Sequence, residues 1–348
     1  MKTVEVTASK NYRVVIGNAL LPHLGDFLSQ VCKAQKIAIV SDSNVWPLFG
    51  KTVTDALAGY ETVSFVFPAG EESKNGATYL RLLNFLAENK LTGSDCLVAL
   101  GGGVVGDLTG FAAATYRRGI AYVQVPTTVL AAVDSSVGGK TAIDLDSGKN
   151  LAGAFHQPSL VLCDLDTLNT LPKDIFRDGC AEIIKYGVLY DEGLFAHLEE
   201  KGLAFDRKQV ISRCVELKRD VVARDEFDRG ERQKLNLGHT LGHGIEACSH
   251  YEISHGSAVA AGMAMVSRLA QKLGICSASC ALRIEQVLKA FGLPTNSQFS
   301  AKELYQCALS DKKRSGATVN LILPEKIGFC RIAPTDITKM EAYIEMGR

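Results

Sequence analysis

His239, His243 and His255 stand close together late in the sequence. In Asn236-Leu237-Gly238-His239-Thr240-Leu241-Gly242-His243 the first two stand four apart, which on a helix puts both imidazoles on one face. His255 opens the apolar helical stretch that follows. Glu182, in Asp178-Gly179-Cys180-Ala181-Glu182-Ile183-Ile184-Lys185, lies in an otherwise apolar helical run, where an unpaired carboxylate would be costly. Two imidazoles, one carboxylate and an open position are the donor set of a catalytic zinc-type site. Such an ion polarises a substrate hydroxyl and stabilises the alkoxide formed as it is oxidised. Three ligands suffice, so one histidine need not bind metal, and His243 could meet substrate instead. Lys185, Lys218, Arg232 and Asn236 surround this cluster in sequence. Arg232 and Asn236, four apart, read as one helical face leading into the histidines. Guanidinium and ammonium groups gathered around one site suit a phosphate or carboxylate. Lys312-Lys313-Arg314 reads most simply as a solvated turn.

A second constellation lies earlier. Cys96–Leu100 runs directly into Gly101-Gly102-Gly103, and Leu108–Tyr116 is patterned as a helix. A glycine loop between a strand and a helix N-terminus lets backbone N–H groups approach a pyrophosphate. Its spacing is not the usual G-x-G-x-x-G of dinucleotide folds. Other polar residues fall just after predicted strands: Asp42 and Asn44, Glu71 and Lys74, Thr127 and Thr128. Singly each is a plausible turn or cap residue; together, at strand carboxyl ends, they favour a nucleotide. Asp134-Ser135-Ser136-Val137-Gly138-Gly139-Lys140-Thr141 looks like a phosphate loop of ATPases but has Asp134 where the first glycine belongs, so ATP hydrolysis is not indicated. Lys140, Lys149 and Asn150 remain as cationic and amide groups beside glycines, suited to an anionic ligand near the backbone.

The elements that must position these groups change character along the chain. Residues 3–7 and 12–16 read as a short hairpin ahead of the main fold. Apolar runs of strand length follow at 36–40, 62–67, 96–100, 121–125 and 160–163, with helix-patterned segments between several of them. This is the pattern of a parallel sheet covered on both faces. After about Leu171 the texture is helical, over 174–190, 207–224, 236–248, 255–273 and 281–291, with two short strands at 318–323 and 327–332. The expected architecture is α/β: a Rossmann-like parallel-sheet domain over 1–170 for the nucleotide, followed by a mainly α-helical metal- and substrate-binding domain over 171–348.

Composition narrows the partners. At 348 residues the chain exceeds one ordinary core, and its 47% apolar and 22% charged residues are those of a globular protein. Lys plus Arg and Asp plus Glu balance at 38 each, so no global field invites nucleic acid or a membrane surface. No apolar run is long enough to span a bilayer, and the start lacks a signal-peptide pattern. The ten scattered cysteines are therefore expected to be reduced, mostly buried thiols of a soluble cytoplasmic protein.

GGGVVGDLTGFAAATYRRG, VPTTVLAAVDSSVGGKTAID, GKNLAGAF, DGCAEIIKYG, NLGHTLGHGIE and HGSAVAAGM resemble, in this order, the successive motifs of the 3-dehydroquinate synthases, from about Val4 to Pro334. The resemblance implies conversion of 3-deoxy-D-arabino-heptulosonate 7-phosphate to 3-dehydroquinate and phosphate, the second step of the shikimate pathway. It implies oxidation at C5, phosphate elimination, re-reduction and an intramolecular aldol closure, with NAD regenerated each turnover. Matched motif by motif, Glu182, His239 and His255 would bind one divalent ion, zinc or cobalt. Asp42, Asn44, Glu71, Lys74, Gly102, Gly103, Val104, Asp107, Thr127, Thr128, Leu130, Asp134, Lys140, Lys149 and Asn150 would line the NAD site. Asp134, Lys140, Asn150, Lys185, Lys218, Arg232, Asn236 and His243 would surround the sugar-acid phosphate, joined by Arg118 from the neighbouring subunit of a homodimer. Lys312 or Lys313 would match a further substrate lysine. Ala132 stands where members commonly carry glutamine, and Asp144 where many carry asparagine.

Rival readings are a sister sugar-phosphate cyclase, a metal-dependent polyol dehydrogenase similar to the glycerol dehydrogenases, and a non-catalytic metabolite-binding protein. Net NADH production would identify the dehydrogenase, and a carboxylate-free substrate the sister cyclase. Absence of metal and turnover would identify the binding protein.

Overall fold

The computed structural model describes residues 1–312 and 318–348, with residues 308–312 described by backbone alone. Lys313 and Arg314 lie outside the described residues, and Lys312 closes a helix by its backbone. Two compact units are formed, one from 1–171 with 207–227 and one from 172–206 with 228–348.

The first unit is built on a seven-stranded sheet. Its strands are β1 (Lys2–Val6), β2 (Tyr12–Gly17), β3 (Lys36–Asp42), β4 (Glu61–Phe67), β5 (Cys96–Gly101), β6 (Ala121–Pro126) and β9 (Leu160–Asp164), in the order β1-β2-β9-β6-β5-β3-β4. β1 pairs antiparallel with β2, and every other neighbouring pair is parallel. The hairpin expected ahead of the fold is thus an edge of the sheet itself, because β2 pairs with β9. Alternate residues of β3 serve opposite cores. Ile37 and Ile39 join one, with Leu24 and Leu28 of α1 (Leu24–Ser29) and Val53 of α2 (Trp46–Ala56). Ala38 and Val40 join the other, with Leu82 and Leu86 of α3 (Gly76–Glu88) and Val105 and Leu108 of α4 (Gly103–Thr115). Burial on both faces explains the near-continuous apolar runs.

One hairpin went unread in the sequence: β7 (Lys140–Leu145) and β8 (Gly148–Phe155) pair antiparallel apart from the main sheet. It carries Lys140, Lys149 and Asn150. Asn150 takes φ 57°, a left-handed conformation that asparagine tolerates better than most residues.

The second unit holds α5 (Lys173–Tyr190), α6 (Glu192–Lys201), α8 (His239–Cys248), α9 (His255–Lys272), α10 (Ala278–Ala290), α11 (Ala301–Lys312), the antiparallel pair β10 (Thr318–Lys326) and β11 (Phe329–Asp336), and α12 (Met340–Gly347). α5 and α8 both pack on α9, which is buried almost all round from Ala258 to Val266. The fold is therefore α/β, a parallel-sheet unit together with a mainly helical one.

Two sequence expectations need correction. A single boundary at 170/171 fails for α7 (Arg207–Arg224), which returns to the first unit. Its buried face, including Val210, Cys214, Val215 and Val221, packs on β1, β2 and the turn Ala131–Ser135. The cysteines are not all free: Cys248 and Cys307 form a disulfide, since α8 and α11 pack together and bring the two Cα atoms to 5.9 Å. The other eight form no disulfide among the described residues, and all are buried except Cys32. No helix among the described residues is long and apolar enough to cross a membrane.

Candidate active site

In the first unit the polar residues predicted for a nucleotide gather at the carboxyl edge of the sheet. β3 pairs with β4 on one side and β5 on the other, so the strand order reverses between β3 and β5. Open α/β sheets bind ligands in the crevice at such a reversal. Asp42 ends β3, Gly101 ends β5, and Gly103 begins α4 after the single intervening Gly102. Gly102 sits close against the turn that follows β6: a Cβ there would lie 3.0 Å from the Thr128 methyl, which would have to give way slightly. Asp42 also has a local task, its Oδ1 accepting the N–H groups of Asn44 at 2.8 Å and Val45 at 2.9 Å. Thr128 likewise accepts the Ala131 N–H at 3.2 Å, while Thr127 is buried and Leu130 starts the turn Ala131–Ser135.

Lys74 is the hub of this edge. Its Nζ lies 2.8 Å from Glu71 Oε1, 3.4 Å from Asp107 Oδ2 and 3.8 Å from Asp144 Oδ1. Burial opposes its charge, but the Asp107, Glu71 and Asp144 carboxylates outweigh that and raise its pKa. For Asp107 the balance is reversed: burial wins over the attraction of Lys74 and lifts the carboxyl to about 6. The β7–β8 hairpin docks on the same turn, with Asp144 N–H donating to the Lys74 carbonyl at 2.7 Å and Asn150 N–H to Asp144 Oδ1 at 2.7 Å. Val104 lies in the first turn of α4; Lys149 is part-buried, and Lys140 and Asn150 are exposed.

Further along, Lys218 of α7 and Asp134 come together. Lys218 Nζ donates to Asp134 Oδ1 at 2.7 Å and to the Asp134 carbonyl at 2.5 Å. Arg118 is exposed, in a left-handed conformation at φ 66° just before Gly119.

The second unit assembles the metal-type donors. Glu182 of α5 is fully buried, and its Oε1 lies 3.5 Å from His239 Nε2 and 3.6 Å from His255 Nε2. One donor atom from each of the three lies within 4.8 Å of the others. Two imidazole nitrogens and a carboxylate oxygen converging from α5, α8 and α9 fit a divalent ion with room for substrate oxygen. Lys185, one turn beyond Glu182 and also buried, pairs with Glu182 Oε2. Burial and then the nearby Lys185 push His239 down to about 3. His255 is likewise disfavoured as a cation by burial, but Glu182 and Glu246 overcome this and draw it up to about 10. His243 is exposed and groups with Glu246 and His255, its ring 5.6 Å from that of His239.

The structure separates Arg232 and Asn236 from the histidine helix. They lie in a 3-10 turn, Glu231–Asn236, and α8 starts only at His239. Gly238 makes the break at φ 80°, and a Cβ there would lie 2.6 Å from the Val259 carbonyl oxygen, so α8 can approach α9 only through glycine. Shared helical phase therefore does not align Arg232, Asn236 and His239. Arg232 is 2% exposed, whereas Asn236 is exposed.

Two carboxylates escaped the sequence reading. Glu246, one turn beyond His243, is buried with Oε2 3.5 Å from His255 Nδ1. Asp178, one turn before Glu182, hydrogen-bonds the first turn of α9. Glu246 meets its partner across the turn from α8 to α9, whereas Asp178 meets Gly256 at a sequence separation of 78.

Known proteins resemble the chain over its whole length. A 3-dehydroquinate synthase from Clostridium acetobutylicum is 40% identical over 99% of this chain and 100% of its own. The crystal structure of 2-epi-5-epi-valiolone synthase from Streptomyces hygroscopicus subsp. jinggangensis 5008, with NAD+ and Zn2+ bound, superposes with a TM-score of 0.88 at 28% identity, covering 99% of this chain and 98% of that one. 2-Deoxy-scyllo-inosose synthase, complexed with carbaglucose-6-phosphate, NAD+ and Co2+, superposes with a TM-score of 0.90 over 100% of both chains; at 24% identity it attests the fold alone. Family models described as 3-dehydroquinate synthase N-terminal and C-terminal match residues 64–178 and 179–314. With two consecutive matches spanning most of its length and a close relative aligned end to end, the chain belongs to the 3-dehydroquinate synthase family.

Proposed function

We propose that this chain converts 3-deoxy-D-arabino-heptulosonate 7-phosphate to 3-dehydroquinate and inorganic phosphate, as its family does, acting as a phosphate-eliminating lyase. The observation that carries the reading is the convergence of Glu182, His239 and His255. It is joined by a glycine turn and polar strand ends at the strand-order reversal of the sheet. NAD+ and Zn2+ in the valiolone synthase, and NAD+ and Co2+ in the inosose synthase, support the same cofactors here. Glu182, His239 and His255 would hold the ion and the residues around Gly102, Gly103, Lys74 and Asp107 the NAD, supplying Lewis acidity and a recyclable hydride acceptor.

The protein's own groups then bind, orient and neutralise. Lys185 pairs with the Glu182 carboxylate where both are buried. Asp134 fixes the Lys218 ammonium in one direction. Lys140, Asn150, Asn236 and His243 offer polar groups to a polyhydroxylated acid, and Arg232 a guanidinium to its carboxylate. Exposed Arg118 serves the phosphate of a second copy in a cytoplasmic homodimer.

The test is product identity. With NAD and a divalent ion, the heptulosonate phosphate should yield a carbocyclic product and one phosphate each, whereas glucose 6-phosphate should not turn over. Cyclisation of glucose 6-phosphate, or net NADH formation from a polyol, would overturn the assignment.

A further inference from the structure

The amino end of α9 is held from outside its own segment. Ser254 stands at its N-cap in extended conformation, yet its side chain makes no cap bond to the helix. The first N–H groups of a helix have no intrahelical acceptor and carry partial positive charge, so they need one from elsewhere. Asp178 of α5 supplies it. Its Oδ2 accepts the Gly256 N–H at 2.9 Å, and its Oδ1 accepts the Ser257 N–H at 2.7 Å and the Ser257 hydroxyl at 3.1 Å. The Ser254 hydroxyl donates to the same Oδ1. The approach requires glycine: a Cβ on Gly256 would lie 1.9 Å from the Asp178 carbonyl oxygen.

This clasp joins two helices that each carry a metal-type donor. Asp178 precedes Glu182 by one turn of α5, on the same face. The residues it grips, Ser254, Gly256 and Ser257, flank His255 on both sides. One carboxylate therefore sets the position of the His255 turn against the Glu182 turn. Metal–ligand bonds of about 2.0–2.2 Å leave little room for one donor to slide relative to another, and functional constellations tolerate roughly 0.5 Å.

We propose that Asp178 is a positioning residue of the metal site, holding His255 in register with Glu182 without touching the ion. The inference rests on Glu182, His239 and His255 being the ligands, and the test separates the two claims. Asp178→Asn, Asp178→Ala and His239→Ala are compared with the unaltered enzyme by chelator-competition titration of Co2+, by the visible absorption of the Co2+ forms, and by NAD affinity. Loss of a supporting partner of a metal ligand typically weakens metal binding about 10–100-fold. Both Asp178 variants should weaken Co2+ binding in that range and change its visible spectrum, with NAD affinity and far-UV circular dichroism retained. A merely structural cap would lower the melting temperature and leave the Co2+ spectrum and affinity of the folded protein unchanged, and that result overturns the proposal. If Asp178→Ala does not fold, Asp178→Asn, which keeps the shape of the side chain, decides. If His239→Ala loses Co2+ while both Asp178 variants keep it, the positioning role alone falls. If His239→Ala also keeps it, the ligand assignment falls as well.

Discussion

Lys218 reaches from α7 to grip Asp134 twice, through Oδ1 at 2.7 Å and through the main-chain carbonyl at 2.5 Å. The contact lies within the sheet unit, to which α7 returns from the second half of the sequence. Lys218→Met should strand a part-buried carboxylate, at a cost of about 1–3 kcal/mol in unfolding free energy. It should also lower kcat/KM for the phosphorylated substrate at least tenfold. Denaturant titration and steady-state kinetics check both; unchanged kinetics with lowered stability would make the pair structural only.

Asp107 ties stability to pH. Burial lifts its carboxyl to about 6, above the ordinary 3.8, so the folded chain holds this proton more tightly than the unfolded one. Its contribution to stability is therefore fullest below about 3.8 and is lost as pH rises through about 6. Asp107→Asn, which mimics the protonated form, should raise the melting temperature at pH 8, with the gain fading toward pH 4. NAD affinity should fall in the same variant if Asp107 lines the NAD site as proposed, because a stabilising change at a functional carboxylate commonly costs function. Thermal melts at pH 4, 6 and 8 give the answer, and a gain that grows toward acid would contradict it.

Glu182→Ala and His239→Ala should each lose bound metal and nearly all turnover while remaining folded. Metal content by elemental analysis after gel filtration is the readout. Full occupancy in either variant would remove that residue from the ligand set.

Arg232→Lys should lower kcat/KM by one to two powers of ten, the value of a charge-assisted pair of about 1.5–3 kcal/mol. NAD affinity and metal content should hold. Because Arg232 is only 2% exposed, a fall in melting temperature should accompany the kinetic loss. Wild-type kinetics in the lysine variant would assign the guanidinium to the fold.

Much of this was legible in the sequence where chemistry follows local period. The doubly buried strands announce themselves as apolar runs, and the glycine turn between β5 and α4 sits where strand, glycines and helix pattern meet. Glu182 in an apolar helix and histidines at helical spacing pointed to one site, and the fold brings Glu182, His239 and His255 together. What failed depended on distance or on a single backbone angle. The return of α7 to the sheet unit, the Cys248–Cys307 bond and the clasp of Asp178 on α9 join residues that no local pattern relates. The positive φ of Gly238 ends the helical phase that seemed to run from Arg232 to His239 in the sequence. The β7–β8 hairpin hid behind its glycines and charged residues, which read as a loop.

The central claim, that NAD is recycled within one turnover, is tested most directly by counting phosphate against nucleotide. Enzyme, a divalent ion, excess heptulosonate phosphate and a limiting amount of NAD are mixed, and phosphate and NADH are followed together. Many phosphates should be released per NAD, with no NADH accumulating. One NADH formed for each substrate consumed, with phosphate release stopping when NAD is spent, would contradict it.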